Sequence, residues 1–482
     1  MQKSTARGRI DARPMNRFQW FVIGLATVLM GLDGYDVQAM AFTANAVTQD
    51  FGLTGSQLGL LLSGGLIGMA LGAVFVGPFA DRFGRRPLLL TAIAVNGLGL
   101  FLSATATTMP ELMVWRVVTG LGVGGILVSG TVLVSEYSNA RFRGLALSIY
   151  AAGYPVGATL GGLAAVPLIS TFGWQAVFLL GAAVTVVSVV VVALAMPESL
   201  DFLEAQALRT GSARTLRRAE RILARLGLEE EVRAGDVAAG TDAVPGNGDP
   251  EAEGRGRQSG GGFGALLAPT RRRSTLMLWA MFFFVMFGFY FANTWTPQLL
   301  TEVGFSPEEG IFGGVMLTTG GIVGAVLYGV FAARWDVRRV LAVFALLSAV
   351  MFVVFISSTG VLGVALITGV LLGMIINGCI SGLYTIAPMT YAPHLRSTGV
   401  GVALGVGRTG AIVAPIVVGA LLDAGWTPFA LYLGVAGVVM LAAWAGMRIR
   451  LHQQQADDLP DQSQDEDLIV DEHAAPDPQG PR

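Results

Sequence analysis

The chain has 482 residues, of which 53% are hydrophobic, only 13% are charged and 65 are glycine, and its net charge is −2. A soluble chain of this length would be two or three domains, each with a polar skin that so few charges cannot supply, so the composition is that of a protein crossing the membrane many times. One lysine (Lys3) rules out a Walker A loop, one cysteine and three histidines cannot build a Cys/His zinc cluster, and the absence of a basic field makes nucleic acid a poor partner; neither an enzyme nor a cofactor is expected.

Residues 1–17 form a short segment containing Lys3, Arg7, Arg9, Arg13 and Arg17. The apolar run that follows is about 29 residues long, beyond the 7–15 of a signal peptide, so it is read as a retained helix. A span needs roughly 20 apolar residues. Twelve stretches qualify, at about 18–46, 56–80, 87–107, 111–134, 144–168, 174–196, 274–300, 308–332, 339–358, 361–388, 397–422 and 427–447. An even number places both ends on one side. Alternate loops carry Arg82, Arg85 and Arg86; Arg141 and Arg143; Arg334, Arg338 and Arg339; and Arg396, whereas 47–55, 169–173 and 301–307 hold no lysine or arginine. The positive-inside rule then predicts cytoplasmic termini, in a bacterial inner membrane.

The expected organisation is all-α: a six-helix bundle over 18–196, a cytoplasmic linker over 197–273, a second bundle over 274–447 and an acidic cytoplasmic tail over 448–482. The linker begins with a helical pattern (Leu216, Ala219, Leu223, Leu226), and its 234–262 stretch reads as flexible. A faint repeat links the halves. Gly68, Gly72, Gly77 and Arg82 are matched by Gly320, Gly324, Gly329 and Arg334, each set ending a span at a basic turn.

Charges inside the spans are the candidate site. Asp33 and Asp36 lie three apart, hence on one helical face and about 5–6 Å apart at Cβ, where an acid costs on the order of 2.5–3.5 kcal/mol to insert. They read as a protonatable pair, Asp36 as the proton site and Asp33 as its coupled partner; the competing reading is an ion pair with an arginine. Arg116, about 8 Å into span four by helical rise, is a fixed counter-charge for these acids or a snorkelling side chain. Arg408, near mid-depth of span eleven, suits a substrate carboxylate, or else permanently pairs Asp33 or Asp36. Tyr35, Tyr154, Phe291, Trp295 and Tyr384 offer faces for an aromatic ring, with Asn293 and Gln298 as polar contacts. His394 is a loop histidine of ordinary character.

The turn Gly77-Pro-Phe-Ala-Asp81-Arg82-Phe-Gly84-Arg85-Arg86 resembles the signature loop of the major facilitator superfamily, and Arg116-Val-Val-Thr-Gly120-Leu-Gly122-Val-Gly124 resembles that superfamily's fourth-helix motif. The second copy of the loop is degraded, with Ala333 in place of Asp81 and Asp336 in place of Gly84. More narrowly, Gly31-Leu-Asp33-Gly34-Tyr35-Asp36 is similar to a motif of the aromatic acid:proton symporters, as is the region from Tyr391 through Arg396 to Gly407-Arg408-Thr-Gly410 and Pro415. The resemblance implies the major facilitator fold, two pseudo-symmetric six-helix bundles, and a monomeric carrier in lipid that imports a small aromatic carboxylate with protons. It also implies a gate at Gly77, Asp81, Arg82, Gly84, Arg85 and Arg86, with Arg396 beside it. A proton-antiporting exporter, a sugar or polyol carrier (suggested by Pro197-Glu198-Ser199) and a membrane sensor remain open alternatives.

Overall fold

The computed structural model describes residues 10–11, 13–210, 213–226, 263–269, 271–392 and 395–449; the 234–262 stretch, His394 and the tail beyond 450 lie outside the described residues. Among the described residues, twelve helices are long and apolar enough to cross a membrane. Six precede the central connection: α1 (Arg17–Phe51), α2 (Gly55–Phe83), α3 (Arg85–Thr105), α4 (Met109–Tyr137), α5 (Arg143–Phe172) and α6 (Gln175–Ala195). Among the described residues of that connection are three shorter helices: α7 (Leu200–Thr210), α8 (Ala213–Arg225) and α9 (Phe263–Leu266). Six more follow: α10 (Arg272–Glu302), α11 (Pro307–Ala332), α12 (Val337–Ser357), α13 (Leu362–Thr390), α14 (Arg396–Asp423) and α15 (Pro428–Arg448).

Local chemistry sets several helix ends. Asn16 accepts from the Gln19 N–H at 2.9 Å while the Gln19 side chain accepts from the Asn16 N–H at 2.8 Å, a capping box that starts α1. Ser306 and Glu309 make the same box at α11, with Pro307 at the first helical position. Polar ends carry α1 past its apolar run, to Gly52 at φ +61°.

The two halves pack by one plan. In the first, α1 lies against α5, α2 against α4, and α3 against α4 and α6; in the second, α10 lies against α14, α11 against α13, and α12 against α13 and α15. The glycine repeat explains part of this symmetry. A Cβ at Gly68 or Gly72 would run into the backbone of Val117 and Leu121 on α4, and one at Gly320 or Gly324 into that of Val370 and Met374 on α13. The same spacing thus permits the same close helix approach in each half.

α1 begins and α15 ends on one face, here the terminal face; the opposite one is the distal face. Across the bundle boundary α2 meets α14, α5 meets α11, and α1 meets α10. The hydrogen bonds described across it lie between mid-depth and the distal face. Asn45 donates to Thr301 Oγ1 at 3.2 Å, Ser63 donates to Ile412 O at 2.8 Å, and the Thr159 and Thr318 hydroxyls are 3.0 Å apart. Asp423 accepts from Gly55 N–H at 2.6 Å and Ser56 N–H at 2.8 Å. The bundles are sealed distally.

On the terminal face α8 lays Ala219, Ile222 and Leu223 into a cluster with Ile10, Val22 and Leu203. Asn16 Nδ2 donates to Arg225 O at 3.1 Å, tying the end of α8 to the start of α1.

Candidate transport site

Two arginines and two acids meet at mid-depth, and they are not equivalent. Arg116 of α4 donates to both carboxylate oxygens of Asp36 on α1, at 2.8 and 3.3 Å, and to the Asp36 carbonyl at 3.0 Å. Both side chains are nearly sealed, at 2% and 1% exposure. A Cβ at Gly65 would sit 2.9 Å from the guanidinium, so α2 supplies a glycine where the arginine needs room. Arg116 therefore points inward to Asp36 and does not snorkel.

Arg408 of α14 has no such carboxylate. It donates to Tyr290 Oη at 3.2 Å and touches Met69 Sδ of the first bundle at 2.7 Å. Among the described residues, no acid lies within ion-pair distance of it. Asp33, 3% exposed, lies within electrostatic reach of Arg408 and Asp36, and its Oδ1 has no hydrogen-bond partner. The arrangement is a neutralised pair on one side and an open cation and acid on the other.

The aromatic candidates separate. Tyr154 stands at the bundle boundary, its ring 6.4 Å from Phe289 and its Oη without a partner. Tyr384 is 50% exposed on the terminal side of mid-depth and within electrostatic reach of Arg408. Tyr35 does not reach the site: its ring is wedged between Gly161 and Gly181, and its Oη donates to Val177 O at 2.5 Å. Phe291 and Trp295 also turn away. Phe291 packs on Tyr432 and Phe352 at 4.8 and 5.9 Å inside the second bundle, and Trp295 is fully buried one turn along the same face. Their four-residue spacing marks the packed side of α10. Asn293 is buried beside the site face, and Gln298 bonds Glu302 at 3.2 Å nearer the distal end.

At the terminal turn, Gly84 adopts φ +100°, and a Cβ there would meet Glu198 Oε2 at 2.7 Å. Glu198 Oε1 accepts from the Arg85 and Arg86 N–H groups at 2.8 and 3.1 Å, capping α3 at its positive end. The Arg85 guanidinium pairs Glu136 of α4 at 3.5 Å, and Arg86 donates to Ala193 O. Arg82 and Arg396 are exposed. Gly77 and Asp81 belong to α2, and the Asp81 side chain lies outside what the structure describes.

Sequence reasoning missed Glu136, Glu198, Tyr290 and Met69. It counted acids only within the loop, whereas these two come from the ends of other elements. In the second half, Asp336 caps α12 by accepting from the Arg338 and Arg339 N–H groups at 3.0 and 3.1 Å. Partial burial alone would raise its carboxyl, but the bonds from Arg338 and Arg339 outweigh it and hold the group below the ordinary carboxylate range.

The sequence matches the Major Facilitator Superfamily over residues 23–326 and 278–465. The chain belongs to that superfamily. It is 34% identical over 418 residues to the 4-hydroxybenzoate transporter PcaK of Pseudomonas aeruginosa, covering 86% of this chain and 89% of that one. It is 33% identical over 420 residues to the gallate transporter of Pseudomonas putida (86% and 88% covered) and 31% identical over 432 residues to the 3-(3-hydroxy-phenyl)propionate transporter of Escherichia coli (87% and 90%). The inward-open xylose transporter XylE from E. coli shares the fold, with a TM-score of 0.70 at 17% identity over 91% of this chain and 98% of that one. The protein is thus a multi-pass integral membrane transporter of this superfamily, and not an enzyme.

Proposed function

We propose that the chain imports a small aromatic carboxylate together with protons, by alternating access across the bacterial inner membrane, as a monomer with both termini cytoplasmic. One observation carries the substrate charge: Arg408 is a guanidinium between the bundles with no carboxylate among the described residues within ion-pair distance. A substrate carboxylate suits its planar donors, and the substrates named for the relatives are aromatic acids. With cytoplasmic termini, the distal seal makes this the inward-facing state.

The geometry favours Asp33 over Asp36 as the proton carrier. Asp36 is occupied by Arg116, while Asp33 keeps an oxygen free and lies near Arg408. Protonated Asp33 and a carboxylate on Arg408 together leave the site neutral, which eases the bundles past each other. One proton with a monoanion moves no net charge; a second would add about 2.3 kcal/mol per 100 mV. Asp81, Arg82, Arg85, Arg86, Gly77, Gly84 and Arg396 form the cytoplasmic gate in this reading.

The test is substrate binding and uptake in proteoliposomes with acid outside, comparing an aromatic acid with its uncharged amide. Wild type should take the acid and reject the amide. Arg408→Lys keeps charge but loses the two-pronged geometry, and should weaken acid binding about tenfold or more while the carrier stays folded. Equal preference for acid in wild type and Arg408→Ala would sink the anchor.

A further inference from the structure

Two carboxamides sit where the fold gives them too little to bind. Gln38 of α1 is 0% exposed, and neither its Nε2 nor its Oε1 has a hydrogen-bond partner. Asn293 of α10 is 1% exposed; its Nδ2 donates to Phe289 O of its own helix at 2.9 Å, and its Oδ1 is unpartnered. Buried amides left unpaired are costly, so each calls for an explanation.

Their positions coincide across the bundle boundary. Gln38 lies four residues from Gly34 and four from Phe42, so the three share a face of α1; Asn293 stands likewise between Phe289 and Pro297 on α10. Gly34 presses on the backbone of Tyr154, whose ring meets Phe289. Phe42 and Pro297 both abut Gly314. The register so fixed sets Gln38 level with Asn293. One turn nearer the terminal face is Tyr290, which holds Arg408, and the rise from Tyr290 to Asn293 is about 4.5 Å, the scale of one aromatic ring.

We propose that Gln38 and Asn293 are the specificity end of the transport site and recognise a hydroxyl on the ring whose carboxylate is held by Arg408. This rests on the carboxylate reading above. In the described state the α1/α10 boundary is closed and the amides are sealed within it. When the bundles part distally, both amide faces open onto the site together. A phenolic hydroxyl donates and accepts at once, so it satisfies an amide oxygen on one helix and an amide N–H on the other. A ring bearing only hydrogen there leaves both amides unpaired, which is how a site built for a hydroxyl rejects the analogue lacking it.

The experiment measures equilibrium binding of 4-hydroxybenzoate and of benzoate to the purified full-length carrier. Wild type should prefer the hydroxylated acid about tenfold, the scale of one hydrogen bond. Gln38→Met and Asn293→Leu, similar in size but unable to make these bonds, should bring that ratio near unity. They should do so by weakening 4-hydroxybenzoate while leaving benzoate unchanged or tighter. Benzoate binding therefore reports that each variant is folded. A wild type without the preference, variants that keep it, or variants that lose both acids equally would overturn the hydroxyl site alone. A wild type that binds neither acid would overturn the carboxylate reading and this proposal with it.

Discussion

Asp33 and Asp36 stand three residues apart on one helix in opposite circumstances. Asp36 has its charge matched by Arg116 inside the first bundle, whereas Asp33 faces Arg408 of the second with an oxygen to spare. Their substitutions should separate accordingly. Asp36→Asn strands a buried guanidinium and should cost about 3–5 kcal/mol of stability, read as a lowered Tm of the purified carrier. Asp33→Asn should keep its Tm and still exchange substrate by counterflow, yet fail to accumulate it when the outside is acidified. Accumulation by Asp33→Asn, or a wild-type Tm for Asp36→Asn, would return the proton to Asp36. The sequence placed both acids and both arginines at useful depths, because one-dimensional rise along a helix is legible there. It held no information on which arginine turns to which acid. That choice depends on the space at Gly65, a residue of a third helix.

At the scale of elements, the N-terminus of α3 at the terminal turn and that of α2 at the distal face are each fixed by an acid from elsewhere in the chain. Glu198 closes the terminal turn, and Asp423 reaches the distal end from the other bundle. An aspartate at the C-terminus of α14 opposes that helix's own dipole, so its favourable partner is the positive N-terminus of α2. Asp423→Asn should weaken this cap by about 1 kcal/mol, shifting the population towards the distal-open state about fivefold. Spin labels at Phe172→Cys and Trp426→Cys, in a background without Cys379, should report longer distances; an unchanged distribution would show that the cap does not hold the seal. Such pairings were not legible, since a cap from a remote helix leaves no local spacing. The apolar period of α10 likewise gave Phe291 and Trp295 a common face. It could not say that the face looks into its own bundle, towards Tyr432 and Phe352.

For the whole molecule, hydropathy and glycine spacing carried much of the architecture: twelve spans, two halves and a faint repeat between them were readable, whereas the pairing of helices was not. The state of the cycle was not, because one sequence must suit every state. Gly59 tests the distal closure directly. Its Cβ would fall on the Pro415 carbonyl, so α2 and α14 approach there through glycine alone. Gly59→Trp should hold the distal side apart, abolishing accumulation while substrate binding from that side persists. Normal uptake by this variant would mean that the α2–α14 contact is dispensable for turnover.

The Asp36–Arg116 pair also bears on how the chain is made. The partners are 80 residues apart, so at roughly 5–20 residues per second the aspartate is synthesised several seconds before its arginine. During that interval the first helix carries two acids with neither arginine yet available, and each weakens its hold on lipid. The fourth helix cancels one of those charges on arrival and fastens the first in place. Until then, the first helix depends on the insertion machinery or on its neighbours to stay in the bilayer, and biogenesis of the amino-terminal half becomes a joint act of helices one and four.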